Sequence, residues 1–218
     1  MTPSDPAGTV ASASASGSAS PPPPSRIRTP SQDVQQALLE AAEAVLAREG
    51  LSGVTVRAVA AEAGVAPMGV YNRFGSKDGL IAALVMRSFD LLTEAIADRG
   101  EIDPVDRLRG SGRRYREFAL GHPQHYRVIF MGGRTHDPDE QPEVEEHARA
   151  AFETLVGHVV YGMEAGVIRP ADPVDLAQQI WSTVHGAVAL ELGEMVLTDD
   201  PAVTYEHLLD LLTAGLTH

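Results

Sequence analysis

Thr55-Val-Arg-Ala-Val-Ala-Ala-Glu-Ala-Gly-Val-Ala-Pro-Met-Gly-Val-Tyr-Asn-Arg-Phe-Gly-Ser-Lys77 is the stretch that decides how this chain folds. Thr55 is placed to cap a short helix whose apolar face is Val56, Val59 and Ala60. Gly64 falls where that helix must stop and the chain reverse, and a left-handed residue at such a point favours glycine. Val65 plugs the turn, and Pro67 pre-sets the first turn of a second helix. Val70 and Phe74 form the inward stripe of that helix, which leaves Pro67, Met68, Gly69 and Tyr71 on other faces near its N-terminus. Two short helices joined by a tight glycine turn have the form of a helix-turn-helix, whose second helix enters the major groove of DNA by its N-terminal residues. The same spacing suits an αα-corner that only packs a core, and periodicity alone leaves the two readings level.

Outward from this unit the period stays helical. Upstream, Val34, Ala37, Leu38, Ala41, Ala42, Val45 and Leu46 recur at helical spacing, with Ser31 as a cap and Gly50 as a stop. Downstream, Ser76 caps a long fourth helix to about Asp98, although Gly79 stands where a capping box would have Glu. Asp103-Pro104, His122-Pro123, Pro142, Asp172-Pro173 and Asp200-Pro201 open five further helices, with proline just inside several starts, where its missing N–H costs least. The sixth is expected to end near Met131-Gly132-Gly133, with a turn at Asp137-Pro138-Asp139. No alternating segment requires a strand, so the expected fold is all-α with about nine helices.

The residue types decide what periodicity leaves open. The stretch resembles the TetR family of bacterial transcriptional regulators in Thr55, Arg57, Val59, Ala60, Ala63, Gly64, Val65, Ala66, Val70, Tyr71, Phe74, Ser76, Lys77 and Leu80. The first helix and Gly50 also lie where that family has them. The resemblance is strong over residues 30–80 and beyond them extends only to an all-helical regulatory domain. It implies a DNA-binding domain over 29–76 and a regulatory and dimerisation domain over 77–218, and composition sets a tail over residues 1–28 before them. It also implies roles. Thr55 and Arg57 lie at the major-groove edge, and Ala66, Pro67, Met68 and Gly69 fill the base-reading slots. None of these four can make a bidentate base contact, so readout goes through thymine methyls and DNA shape. Tyr71 and Lys77 match phosphate clamps, Arg73 faces phosphate, and Asn72 can do either. Arg26 and Arg28 form either a DNA-contacting arm or an ordinary charged linker.

The overall charge of −13 over 218 residues argues against nucleic acid when taken whole. It is unevenly distributed. Residues 1–25 carry only Asp5, residues 26–80 balance six basic against six acidic side chains, and residues 81–218 set 11 against 23, or −12. The reader is neutral and the rest is acid. There is no cysteine, which excludes disulfides, Cys-based zinc sites and a catalytic thiol. The Ala/Ser/Pro-rich residues 1–25 lack aliphatic bulk and any signal-peptide pattern, so we expect a disordered tail on a soluble, cytoplasmic protein with no membrane partner. No phosphate loop, Gly-x-Ser-x-Gly elbow or His-Glu-x-x-His is present, so we expect neither an enzyme nor a cofactor.

Tyr115, Phe118, Tyr126, Phe130, Phe152 and Trp181 concentrate the aromatics in the middle of the C-terminal region. His122-Pro-x-x-Tyr126-x-x-x-Phe130 with Trp181-x-x-x-His185-Gly186 is similar to a TetR subgroup named for its Trp-His-Gly motif. The resemblance implies an effector pocket lined by Phe118, Tyr126, Phe130, Phe152, Trp181 and His185, for a small and largely apolar molecule. Each of these residues also suits plain core packing. Arg113, Arg114 and Arg116 are either a solvated face or partners for an acidic ligand. His122, His125, His136 and His147 lack a metal-site pattern, so no metal is expected. Ile180, Val184, Val188, Leu208 and Leu212 offer the eighth and ninth helices as a homodimer surface. The function these features imply is a ligand-responsive repressor on a palindromic operator. The alternative is a DNA-binding regulator without an inducer, constitutive or activating.

Overall fold

Caps fix where the helices begin. In the computed structural model, which describes residues 31–130 and 141–217, the order is α1 (Ser31–Gly53), α2 (Val56–Glu62), α3 (Pro67–Phe74), α4 (Lys77–Ile96), α5 (Pro104–Gly121), α6 (Pro123–Phe130), α7 (Pro142–Glu164), α8 (Pro173–Leu192) and α9 (Pro201–Leu216). The carboxylates of Asp103, Asp172 and Asp200 each accept two backbone N–H groups at the starts of α5, α8 and α9. Each precedes a proline at the first helical position, so side chain and ring together set the boundary. Gly50 adopts φ 70°, and the chain kinks there before one last turn of α1. Among the described residues there is no strand, only a bridge between Ile168 and Thr217. The cap expected at Ser31, the arm at Arg26 and Arg28, the tail, His136 and the turn at Asp137-Pro138-Asp139 lie outside the described residues and side chains.

Three buried clusters organise the packing. The first joins α1, α2 and α3 through Leu38, Val45, Leu46, Val59 and Val70, and it also takes in Leu80, Leu84 and Val85 of α4 and Val128 of α6. The second gathers Leu92, Tyr115, Phe118, Tyr126, Val184, Val188 and Leu209 from α4, α5, α6, α8 and α9. The third closes the far end around Leu108, Val159, Ile168 and Ile180. α4 therefore begins in one core and ends in another, and α6 touches both.

The apolar stripe expected to form a dimer surface turns inward. Ile180, Val184 and Val188 are buried, because α8 lies against α5 and α7 through that stripe, and Leu208 and Leu212 of α9 are half-buried against the second cluster. The apolar side chains that α8 and α9 do expose are Val174, Leu190, Val203 and Leu211, the last at 77%. Helical spacing identifies the apolar face but cannot tell an inner face from an outer one.

Candidate functional site

The α2–turn–α3 unit is built by backbone geometry. Thr55 Oγ1 accepts the Ala58 N–H at 3.1 Å and caps α2. Gly64 stands at φ 66°, the Val65 N–H donates to the Ala60 carbonyl at 2.9 Å, and the Gly64 N–H donates to Ala61 at 3.2 Å. That pair of bonds is a Schellman close, and it needs the left-handed residue that glycine supplies without strain. Val65 does not plug the turn fully, since it remains 38% exposed. α3 buries Val70 and rests Phe74 against the first core. Its other face is open: Ala66, Pro67 and Asn72 are exposed, Met68 is exposed at 64% and Tyr71 at 47%, with Gly69 half-buried.

Ser76 Oγ accepts the Gly79 N–H at 3.0 Å and starts α4 with Lys77 at its first position. A Cβ at residue 79 would lie 2.0 Å from the Phe74 carbonyl oxygen, which is why the capping box stops at serine. Arg57, Arg73 and Lys77 form no ion pair among the described residues, whereas Arg48 meets Glu49 and Glu62, and Arg87 meets Glu43. The open face of α2, α3 and the start of α4 thus presents uncompensated positive charge, a phenol and an apolar ridge on a short helix.

Beyond the first core, a cavity of about 410 Å³ opens between α4, α5, α6, α7, α8 and α9. Phe130, Phe152 and Trp181 line it as expected, with the rings of Phe130 and Phe152 centred 5.9 and 6.1 Å from Trp181. Phe118, Tyr126 and His185 do not line it. Phe118 and Tyr126 are buried in the second cluster, and His185 stands behind Tyr115. The wall also includes residues to which sequence spacing does not point: Phe89, Arg109, Ser111, Gly112, Tyr115 and Thr213, with Glu145 at the rim. One trace of them exists in the sequence. Ser111 and Gly112 are small residues set within the stripe from Leu108 to Tyr115 on α5, which keeps room beside a buried face.

Behind the wall, His185 Nδ1 lies 2.8 Å from the Tyr115 hydroxyl and 3.0 Å from that of Tyr126. Two phenols converge on one ring nitrogen, and burial lowers the His185 pKa, so we assign the ring as neutral with its proton on Nε2. Burial also pushes Tyr126 up to about 12 and raises Tyr115 further, so both phenols stay protonated and share the single Nδ1 lone pair.

α6 connects the cavity and the first core. Phe130 lines the cavity while Val128 packs into the first core. Ser88 Oγ donates to the Leu84 carbonyl at 2.7 Å, which leaves its lone pairs for the His125 Nδ1–H at 2.8 Å. His147 donates to Asp90 at 2.6 Å, and His158 Nε2–H donates to the Ile96 carbonyl at 3.0 Å. Arg113, Arg114 and Arg116 are each taken by an internal acid, Glu206, Glu101 and Glu191 respectively, and none of the three lines the cavity. No helix of the described residues is long and apolar enough to cross a membrane.

Comparison with known proteins fits both regions. Residues 38–84 match the family model "Bacterial regulatory proteins, tetR family", and residues 108–212 match "Tetracyclin repressor-like, C-terminal domain". The chain is 30% identical over 144 residues to the HTH-type transcriptional repressor KstR2 of Mycobacterium tuberculosis, covering 64% of this chain and 71% of that one. It is 29% identical over 163 residues to the HTH-type transcriptional repressor SCO4008 of Streptomyces coelicolor, covering 73% and 81%. A solved protein of unknown function from Rhodococcus sp. RHA1 superposes with a TM-score of 0.77 at 26% identity, over 89% of this chain and all of that one.

Proposed function

The chain belongs to the TetR family of bacterial transcriptional regulators, and on that premise we propose that it is a repressor released from DNA by a small, largely apolar effector. The observation that carries this reading is α6, which shares Val128 with the core under the reading helix and Phe130 with the wall of the cavity. Occupying the cavity then bears on the seat of α3 through one short helix, with α4 as the second link.

In this reading the protein is cytoplasmic and non-enzymatic. It binds a palindromic operator as a homodimer through exposed surfaces of α8 and α9, with the two α3 helices set roughly 34–36 Å apart. Residues 29–76 form the reader and 77–218 the regulatory part, with the first turns of α4 lent to the reader's core. Arg57, Tyr71, Arg73 and Lys77 meet phosphate, Thr55 and Asn72 lie at the groove edge, and Ala66, Pro67, Met68 and Gly69 face base edges and thymine methyls. Trp181, His185 and Gly186 support assignment to the Trp-His-Gly subgroup. The effector releases DNA only as far as it prefers the conformation whose reading helices mismatch the operator. A largely apolar cavity at this position favours an inducer over a regulator that works without one.

Genomic footprinting identifies the bound sites, and gel shifts then measure operator affinity for the wild type, Tyr71→Ala and Lys77→Ala. Each variant is expected to bind about tenfold more weakly, the worth of a single phosphate interaction, with an unchanged helical circular dichroism spectrum. Unchanged affinity in both variants overturns the assignment of this face.

A further inference from the structure

We infer that the effector is an uncharged apolar molecule carrying a hydrogen-bond acceptor, such as an ester or ketone oxygen, and that Ser111 supplies the donor that recognises it. This rests on the reading of the cavity as an effector site and names the chemistry of its ligand.

The cavity runs along α4 and α7. Its wall holds Phe89 to Ile96 on α4 and Ala148 to Leu155 on α7, stretches that each rise about 10 Å along their helix axes, with Glu145 beyond them at the rim. Its two ends differ. Phe89 lies beside the Asp90–His147 contact with the Phe130 ring 6.4 Å away, while Ile96, whose carbonyl meets His158, and Leu155 lie toward the other end. An apolar ligand fits both.

The wall offers no free charge. Its one guanidinium, Arg109, is already held by Asp210 at 2.5 Å with Glu206 at 3.9 Å. An anionic head group would have to displace an internal carboxylate to reach it, inside a region carrying −12. The wall's other charged residue, Glu145, is exposed at the rim and not part of the channel's interior.

One hydroxyl is left for a ligand. Ser111 is 3% exposed, lies in the wall, and has no hydrogen-bond partner among the described residues. The Ser111 hydroxyl is not one of the sealed unpartnered polar atoms among the described residues, which are Arg114 Nε and Gln141 Oε1, so it borders the cavity space, where a ligand acceptor can receive its hydrogen bond. Its neighbours in the wall are differently committed: the Tyr115 proton goes to His185, and Thr213 donates to the Leu209 carbonyl at 2.8 Å. Ser111 is therefore the hydroxyl held open toward the channel.

Trp181 is the single tryptophan of the chain and stands in the wall, so its emission reports occupancy. The full chain is titrated with methyl decanoate, decanoate and decyltrimethylammonium. The ester is expected to change Trp181 emission saturably and to bind at least tenfold more tightly than either ion. Ser111→Ala is expected to weaken ester binding about three- to tenfold, one neutral hydrogen bond, and Ala148→Leu to block all three probes while the helical spectrum stays unchanged. Equal or tighter binding of either ion overturns the uncharged class. Unchanged ester affinity in Ser111→Ala overturns the donor. If none of the probes moves Trp181 emission, the effector-site reading of the cavity falls as well.

Discussion

On α5, Arg107 meets Asp98, Arg109 meets Asp210, Arg113 meets Glu206, Arg114 meets Glu101 and Arg116 meets Glu191. On the face formed by α2, α3 and the start of α4, Arg57, Arg73 and Lys77 meet no acid among the described residues. The same side-chain chemistry thus does two jobs. In the C-terminal region it ties helices together, with α5 fastened to α9 by Arg109 and Arg113 and to α8 by Arg116. On the face of α2, α3 and the start of α4 no acid among the described residues takes it up. Net charge blurs this contrast, because the acids that outnumber the bases lie mostly in the other region. A positive face on a chain of −13 is visible only when each cation is traced to its partner.

The largest effect should come from removing the leftover charge. Arg57→Gln, Arg73→Gln and Lys77→Gln together are expected to lower operator affinity about a thousandfold and to flatten the salt dependence by up to about 2.7 units of log K per log salt, three phosphates' worth. Arg116→Gln tests the other half of the comparison. It should leave that salt slope unchanged and instead cost about 1–3 kcal/mol of stability in urea, because Glu191 would remain half-buried without its partner. Gel shifts over a salt series and urea melts separate the two. A shallower slope in Arg116→Gln would collapse the distinction between the regions.

The two regions are also unequally legible in the sequence. Most helix starts can be read, because a capping Asp, Ser or Thr (α2, α4, α5, α8, α9) or a proline at the first position is a local signal. The reader can be read in depth: Gly64, Val70 and Phe74 occupy the positions that turn geometry and period assign them. The cavity can be read only in part. Phe130, Phe152 and Trp181 reach it, but Phe118 and Tyr126 fill the core behind it, while Ser111 and Thr213 line it without standing out in the sequence. Periodicity reports that a face is apolar and is silent on whether the facing helix closes on it or stands off. Empty space belongs to the arrangement of six helices and to no single stretch of chain. The inward turn of Ile180, Val184 and Val188 has the same origin.

Histidine divides the two regions in a second way. All eight histidines follow residue 121, so the reader has none. Burial lowers the pKa of His125, His158 and His185 below the ordinary 6.5. Each is therefore neutral in the fold at a pH where the unfolded chain is protonated. The unfolded state binds more protons, so stability is intact above about pH 6.5 and falls as pH drops below it. Each fully neutral site contributes a slope of up to about 1.4 kcal/mol per pH unit in that window. Glu101, held down at about 2 by the Arg99 backbone N–H and the Arg114 guanidinium, loses its contribution only below its ordinary value of 4.5, outside this window. Urea melts between about pH 7.5 and 5.5 should show the loss, and His158→Gln, which keeps a donor for the Ile96 carbonyl, should flatten it. A variant with the wild-type slope would remove His158 from the account.

The smallest effect compares two caps of the same kind. Thr55 accepts a backbone N–H at the start of α2, and Asp172 accepts two at the start of α8. Replacing either with alanine is expected to cost about 1 kcal/mol, the usual worth of a capping side chain. Their effects on DNA should part. Asp172→Ala leaves the reader's surface intact, so operator affinity measured on the folded protein should not change. Thr55→Ala frees the first turn of α2, the turn that carries Arg57, and loosens the aim of that guanidinium at the groove edge. A loss of about threefold in operator affinity, restored by Thr55→Ser, is the expected result, because serine keeps the oxygen that accepts the Ala58 N–H. Equal affinity in Thr55→Ala and Asp172→Ala would mean that α2 holds its place by packing of Val56, Val59 and Ala60 alone, and that the cap adds stability without adding aim.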